Sequence, residues 1–394
     1  MTEQTGPLAG VRVLDLSRIL AGPTCTQLLG DLGADVVKVE RPERGDDTRA
    51  WGPPFTEPAD GEAPQSAYFL CANRNKRSVA IDIATDDGAA LVRRLAARAD
   101  VLIENYKVGA LARYGLDYAS LALPRLVYCS ITGFGQTGPR ARGVGYDVLA
   151  QAMGGIMSLT GEPEGAPMKV GVGIADVMCG MYACVAILAA LRHRDRTGEG
   201  QHLDIALLDT QVSWLINAGA DYLVSGRPPA RRGNAHPHIV PYQLFETHDG
   251  HVVLAAGNDE QFARMCEVMV LERLAYDPRY ATNAARVVNR DTLIPMLAAR
   301  LRERTSADWE RALSEAGVPC GPVHDVAQVF SDPQVLHRGM QVRMAQPRAS
   351  SGHVDLIGNP IHASRTPPTY RRPPPALGEH KDEVIADWLS EPAI

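Results

Sequence analysis

The chain has 394 residues, enough for two lobes or for one large α/β unit with an insertion. Its 45% hydrophobic, 22% charged and 6% aromatic content is that of an ordinary globular protein and excludes extended disorder and fibrous repeats. With 40 Lys and Arg against 46 Asp and Glu, the net charge of −6 leaves no broad basic footprint for nucleic acid or an anionic membrane, so a small-molecule partner is expected.

Taken in chain order, the N-terminus MTEQTGPLAGVRVLDL has no basic n-region and no apolar core of signal-peptide length, and a cytoplasmic location is expected. VRVLDL (11–16) then reads as a strand, Ala21 to Gly33 as a helix and DVVKVE (35–40) as a second strand. SVAIDI (78–83), a helix over 86–99, DVLIENY (100–106), a helix over 108–119 and LVYCSITGF (126–134) continue the alternation, which builds a parallel sheet with covering helices. Within the helix at 86–99, Thr85 is placed to cap, Asp86 and Asp87 suit the positive end, and Leu91, Val92, Leu95 and Ala99 form one apolar stripe.

Helices are predicted at 148–158 and 177–194, the second ended by TGEG, and QHLDIALL (201–208) reads as a strand. The apolar run 177–191 is too short to span a bilayer, and no membrane association is expected. From about 226 the texture changes: a Pro, Gly and basic loop, SGRPPARRGNAHPH, precedes a hairpin-like YQLFETHDGHVVLAAG with its turn at His-Asp-Gly. Helical patterns at 259–270, 291–303 and 306–316 complete a smaller α+β lobe, and RTPPTYRRPPPALG (365–378) is an extended strap. The division read from this is a large domain over 1–225, a small one over 226–325, and a C-terminal segment, 326–394, returning to the first.

Three patterns bear on chemistry. Seven scattered cysteines, never spaced CxxC, argue against a disulfide framework or a zinc site; with Pro237 between His236 and His238 and no acidic or thiol companions, no metal is expected. GFGQTG (133–138) matches GxGxxG after a strand, yet Pro139, Gly143 and Gly145 keep the chain a loop where a nicotinamide-binding helix should start, so no NAD is expected. This stretch reads either as a loop suited to approach by a ligand or as an ordinary solvated loop.

The third is GVGIADVMCGMYACVAILAAL (171–191), which sets Asp176 before an uncharged helix. An Asp there reads most simply as a helix cap. The alternative is a nucleophile: a buried helix behind it turns the carboxylate toward a cleft, helix amides can keep it ionised, and Gly171 and Gly173 admit a substrate to the backbone.

Ordered blocks along nearly the whole chain carry a resemblance. LDLSRILAGPTCTQLLGDLGADVVKVERPERGDDTR, NRNKRSVAIDI, ADVLIENYKVGALARYGL, SITGFGQTGP, GYD, GIAD, RTGEGQHLDIALLDTQ, AGVPCGPV, DPQV and LGEH resemble the class III CoA-transferase family, which also contains the α-methylacyl-CoA racemases. The resemblance implies a Rossmann-like large domain, a smaller domain and two chains interlocked as a homodimer. It also implies that Asp176 attacks an acyl-CoA thioester, giving an acyl-enzyme anhydride and then an aspartyl-CoA thioester, a reaction of transferases of sulfur-containing groups with coenzyme A as part of the substrate. CoA contacts carry over to Ile19, Ala21, Arg41, Ile81, Asp82, Asn105, Tyr106, Arg113, Gly133, Phe134, Gly135 and Gln136.

In the racemase branch a histidine stands where this chain has Tyr146; a phenol of ordinary pKa ~10 is poorly matched to α-proton abstraction, so transfer is favoured over racemisation. Leu20 and Thr132 depart from the formyl-CoA transferase pattern, whereas GNAHPHIVPYQLFETHDG and AAGNDEQFARMCEV are most similar to the branch acting on succinyl-CoA and glutarate. Short dicarboxylic acids are therefore the expected substrates. Arg18, Arg140, Arg231, His236 and His238, with Tyr146 beside them, are the candidates for holding the acceptor.

Overall fold

Six short runs of mainly branched and aliphatic residues lie side by side in the computed structural model of the chain, in which residues 6–390 are described. They are β1 (Arg12–Asp15), β2 (Asp35–Glu40), β3 (Lys76–Ala80), β4 (Val101–Glu104), β5 (Val127–Thr132) and β6 (His202–Ala206). All five pairings are parallel, in the spatial order β3-β2-β1-β4-β5-β6. Parallel strands need crossovers, and these supply α1 (Ala21–Asp31), α2 (Asp86–Ala96), α3 (Asp147–Met153) and α4 (Ile174–Thr197), while α5 (Leu207–Ser213) follows β6 directly.

Alternation along each strand splits the core in two. Val13, Val36, Val101, Ile103, Val127 and Cys129 face α1 and α4, while Leu14, Val37, Leu102 and Tyr128 face α2 and the C-terminal helix Lys381–Leu389, which contributes Val384 and Trp388. The strand order reverses between β1 and β4. In an open parallel sheet that reversal leaves a crevice beyond the carboxyl ends of the two strands.

The chain divides into two compact units, one of residues up to 156, 169–226 and 333 onward, the other of 157–168 and 227–332. Against the division expected from sequence, residues 157–168 cluster with the second unit and the return begins at Pro333. Within the first unit lies an antiparallel pair, Gln341–Ala345 with His353–Ile357. The second unit holds a three-stranded antiparallel sheet, Tyr242–Glu246, His251–Ala255 and Cys320–Pro322, on a core that includes Phe245, Leu254, Phe262, Leu297 and Trp309. Its hairpin turns at 248–250, where the Thr247 amide donates to the Gly250 carbonyl.

Some expected elements move. β3 begins at Lys76 and ends at Ala80, unlike the expected 78–83, because two charged residues enter the buried strand: Lys76 Nζ lies 3.3 Å from Asp15, and Arg77 bonds Asp35 and Asp387. The helix expected over 108–119 is only a 3-10 turn, Ala112–Tyr114, and one turn at Tyr118–Leu121, since Gly109 and Gly115 take φ of 78° and 63°. α3 stops at Met153, short of 158, and Gly155 follows at φ 90°.

α4 starts at Ile174 and runs 24 residues to Gly198, whose φ of 82° ends it. By length and composition it could cross a membrane, contrary to the short run expected. Its Cys179, Ala183, Ile187 and Ala190 belong instead to the core beside α1. At Gly180 the two helices approach so closely that a Cβ would lie 2.4 Å from the Ala21 carbonyl oxygen.

Candidate active site

The loop leaving β1 enters the crevice with its backbone held at every step. Ser17 N–H donates to Asp15, Lys38 donates to the Ser17 carbonyl at 2.8 Å, and the Asn105 side chain accepts from Arg18 N–H and donates to its carbonyl. Ile19, at φ 73° in a conformation unfavourable for a β-branched residue, donates its N–H to Asp46, which is itself paired with buried Lys38 at 2.9 Å. Buried charge thus fixes a short stretch of strained loop, the arrangement expected where backbone must meet a ligand.

Beyond this loop is a cleft of about 360 Å³, walled by Arg18 to Ala21, Asn105 to Val108, Ile131 to Gly133 and Gly143 to Tyr146, with Asp176 among its lining residues. Gly133 and Gly145 touch backbone to backbone, a Cβ on Gly145 falling 2.1 Å from the Gly133 Cα, so both wall segments require glycine there. No side chain caps the first turn of α1, and Leu20 and Ala21 bring that positive helix end to the cleft.

Asp176 sits in the first turn of α4, behind Gly173, rather than ahead of the helix. The helix amides expected to hold its carboxylate ionised hold another acid. Asp147 Oδ1, from the first turn of α3, accepts the Ala175 N–H at 2.8 Å and the Asp176 N–H at 3.3 Å. No described residue hydrogen-bonds the Asp176 carboxylate. Burial, with the Asp147 charge adding to it, pushes its pKa up to about 7.

Tyr68, on the short helix Ala67–Leu70, shares this environment. Its hydroxyl is pushed up by burial first and then by the charges of Asp176, Cys71, Asp147 and Asp46. Trp51 packs edge-on against it at 5.1 Å between ring centroids. Neither aromatic nor Asp147 and Asp46 was singled out as a site residue from sequence; Asp46 stands within PERGDDTR and Trp51 just beyond it, and Asp147 within GYD.

Of the predicted residues, Arg18, Ile19, Ala21, Asn105, Tyr106, Gly133, Tyr146 and Asp176 line this one cleft. Arg41 is exposed past β2, yet its charge is felt at Tyr106. The structure does not bring Ile81, Asp82 or Arg113 to the lining: Ile81 is core, Asp82 accepts the Ala84 N–H in a turn, and Arg113 lies over the Tyr114 ring. Phe134 and Gly135 lead away from Gly133, and the Gln136 N–H donates to Asp204, beside a second cavity that includes Glu104, Ser130 and His202. Arg140 is exposed outside the lining. In the second unit, His236 Nδ1 accepts the His238 and Ile239 amides and so braces its own loop, while Arg231 donates to the Glu162 and Gly165 carbonyls and ties that loop to the 162–165 turn. Among the described residues no group of three or more His, Cys, Asp or Glu is arranged to hold a metal ion.

Residues 8–381 match the profile of CoA-transferase family III. The chain belongs to CoA-transferase family III. Succinate–glutarate CoA-transferase of Agrobacterium fabrum is 51% identical over 390 residues, which span 98% of this chain and 97% of that one. Human succinyl-CoA:glutarate CoA-transferase is 43% identical over 385 residues, 97% of this chain and 86% of its own. The crystal structure of a CAIB/BAIF family protein from Brucella suis is similar at a TM-score of 0.87 and 48% identity, covering 98% of this chain and 100% of that one.

As a family III member the chain is a CoA-transferase, a transferase of sulfur-containing groups whose substrates are CoA thioesters. Relatives this similar are transferases, so the racemase alternative is not favoured. The cleft sets a carboxylate that no described residue hydrogen-bonds together with a positive helix end.

Proposed function

We propose that this CoA-transferase moves CoA from succinyl-CoA or a similar donor to a short dicarboxylic acid, glutarate being the first candidate, with Asp176 as nucleophile. What carries the reading is the Asp176 carboxylate, lining the crevice at the β1/β4 reversal with no hydrogen-bond donor upon it among the described residues. Relatives named for succinyl-CoA and glutarate support the substrate class.

One Asp176 oxygen attacks the thioester carbonyl, the C–S bond breaks, and a mixed anhydride and CoA thiolate result. The thiolate attacks the aspartyl carbonyl, releasing the donor acid as carboxylate and leaving an aspartyl-CoA thioester. An acceptor carboxylate then attacks that carbonyl, expelling thiolate, and the thiolate takes the acceptor acyl group and frees Asp176. Two carboxylates exchange one thioester with no net proton change, so thioester energy is retained provided water stays out.

Ile19, Leu20 and Ala21 are suited to line the pantetheine path, and the α1 N-terminus to stabilise oxygen charge at the reacting carbonyl. Arg18 suits the distal carboxylate: it faces the cleft, and among the described residues its buried Nε has no hydrogen-bond partner and only the exposed Asp47 pairs with its Nη1. We propose, too, that two chains associate in the cytoplasm as a homodimer. Met181, Tyr182 and Val185 on α4, with Ile216, Leu223 and Val224 nearby in sequence, are exposed and apolar, a content that supports a covered surface.

The test is a matrix of succinyl-CoA and other acyl-CoA donors against dicarboxylic, branched and monocarboxylic acceptors, with product CoA esters identified by mass. Transfer confined to monocarboxylic acceptors overturns the substrate class. Full transfer by Asp176→Asn overturns the nucleophile.

A further inference from the structure

Among the groups around the cleft, one buried arrangement has no part in the reaction steps above. Asp147 Oδ2 accepts from Gln151 Nε2 at 2.7 Å, one turn along α3. Gln151, fully buried, uses its Oε1 to accept the Val170 N–H at 2.8 Å. Through Oδ1 the same aspartate takes the Ala175 and Asp176 amides. Asp147 therefore ties the 170–173 glycine loop, through Gln151, to the start of α4, and a Cβ on Gly173 would come 3.7 Å from its carboxyl carbon.

Two acids thus compete for one set of donors. The first-turn amides of a helix attract any nearby carboxylate, and a side chain in that turn can bend back to them. A carboxylate so bonded is less basic and a poorer nucleophile. We propose that Asp147 is a positioning residue for Asp176, occupying the α4 amides so that the Asp176 carboxylate stands unbonded in the cleft. The inference rests on the reading of Asp176 as nucleophile.

Asp147 also opposes ionisation of Asp176 by its charge. The other titratable groups that bear on Asp176 are Tyr68 on the short helix Ala67–Leu70 and Cys179 farther along α4, while Arg18, Asp47, Lys107 and Tyr146 line the same cleft. Since burial already keeps Tyr68 and Cys179 protonated at neutral pH, Asp147 is the group whose replacement should move the acid limb of the rate profile.

The experiment compares kcat/KM for succinyl-CoA against pH for wild type, Asp147→Asn and Asp147→Ala, each checked for its thermal midpoint. Asp147→Asn keeps an acceptor oxygen for the two amides but not the charge. Its acid limb should shift down by about one pH unit, with the plateau rate within about threefold of wild type. Asp147→Ala also releases the amides, so its limb should shift at least as far and its plateau kcat fall by about tenfold or more, with KM for succinyl-CoA little changed. Acid limbs at the wild-type position in both variants overturn the inference, as does an equal plateau loss in the two. If Asp176→Asn remains active, the nucleophile reading fails instead; if it is inactive and the Asp147 limbs do not move, only the positioning role fails.

Discussion

An Asp176→Asn chain should be more stable than wild type above neutrality and no more stable near pH 4. The folded chain pushes the Asp176 pKa from 3.8 to about 7, through burial and then the charge of Asp147. In the unfolded chain the carboxyl ionises near its ordinary value. Between those two pH values the folded state holds the extra proton, so stability falls as pH rises and levels off above about 7. At ~1.4 kcal/mol per pH unit the interval is worth about 4 kcal/mol, and with some solvent contact remaining about 2–4 kcal/mol is expected. Asparagine cannot ionise and escapes that cost. Thermal midpoints of both proteins, taken in steps from about pH 3.5 to about 8.5 in one buffer series, should nearly coincide at the acid end and diverge by several degrees at the alkaline end. A difference constant with pH, or one that widens toward acid, shows that Asp176 is not held protonated in the folded chain.

Other substitutions test the scaffold around that carboxyl. Asp46→Ala strands the buried Lys38 charge and releases the Ile19 amide; a loss of about 3–5 kcal/mol in urea unfolding and a raised KM for acyl-CoA are expected, and an unchanged KM contradicts the role given to the loop. Gly180→Ala drives a methyl against the Ala21 carbonyl, so the helices must part at a cost of about 1–3 kcal/mol, read from the urea midpoint; a neutral result means α1 can shift freely. Arg18→Gln should raise KM for glutarate about tenfold or more and leave a monocarboxylic acceptor little affected, steady-state kinetics deciding between this and an equal loss for both acceptors.

Much of the first unit was legible because its physics is local. Thr85 does cap α2, accepting the Gly88 N–H at 3.1 Å, and the runs at 11–16, 35–40, 100–106, 126–134 and 201–208 each contain a strand of the parallel sheet. β3 was misplaced because burial of Lys76 and Arg77 depends on Asp15 and Asp35, acids 61 and 42 residues away, which no hydrophobic period records. The same kind of distance hid the state of Asp176. Its place at the start of an apolar helix was visible; that Asp147, 29 residues earlier, takes the amide of Asp176 was not, and this reverses the expected effect of the helix end on its pKa. Trp51, in an irregular stretch, and Tyr68, on a four-residue helix, are exposed aromatics that no hydrophobic period marks.

In the proposed mechanism the side chain of Asp176 becomes covalently acylated and then thioesterified in turnover. Peptide mass analysis after incubation with succinyl-CoA alone, quenched in acid, should find the peptide containing Asp176 heavier by CoA less water, and hydroxylamine should convert that adduct to a hydroxamate at the same residue. An unmodified Asp176 peptide in a protein that is turning over contradicts the account.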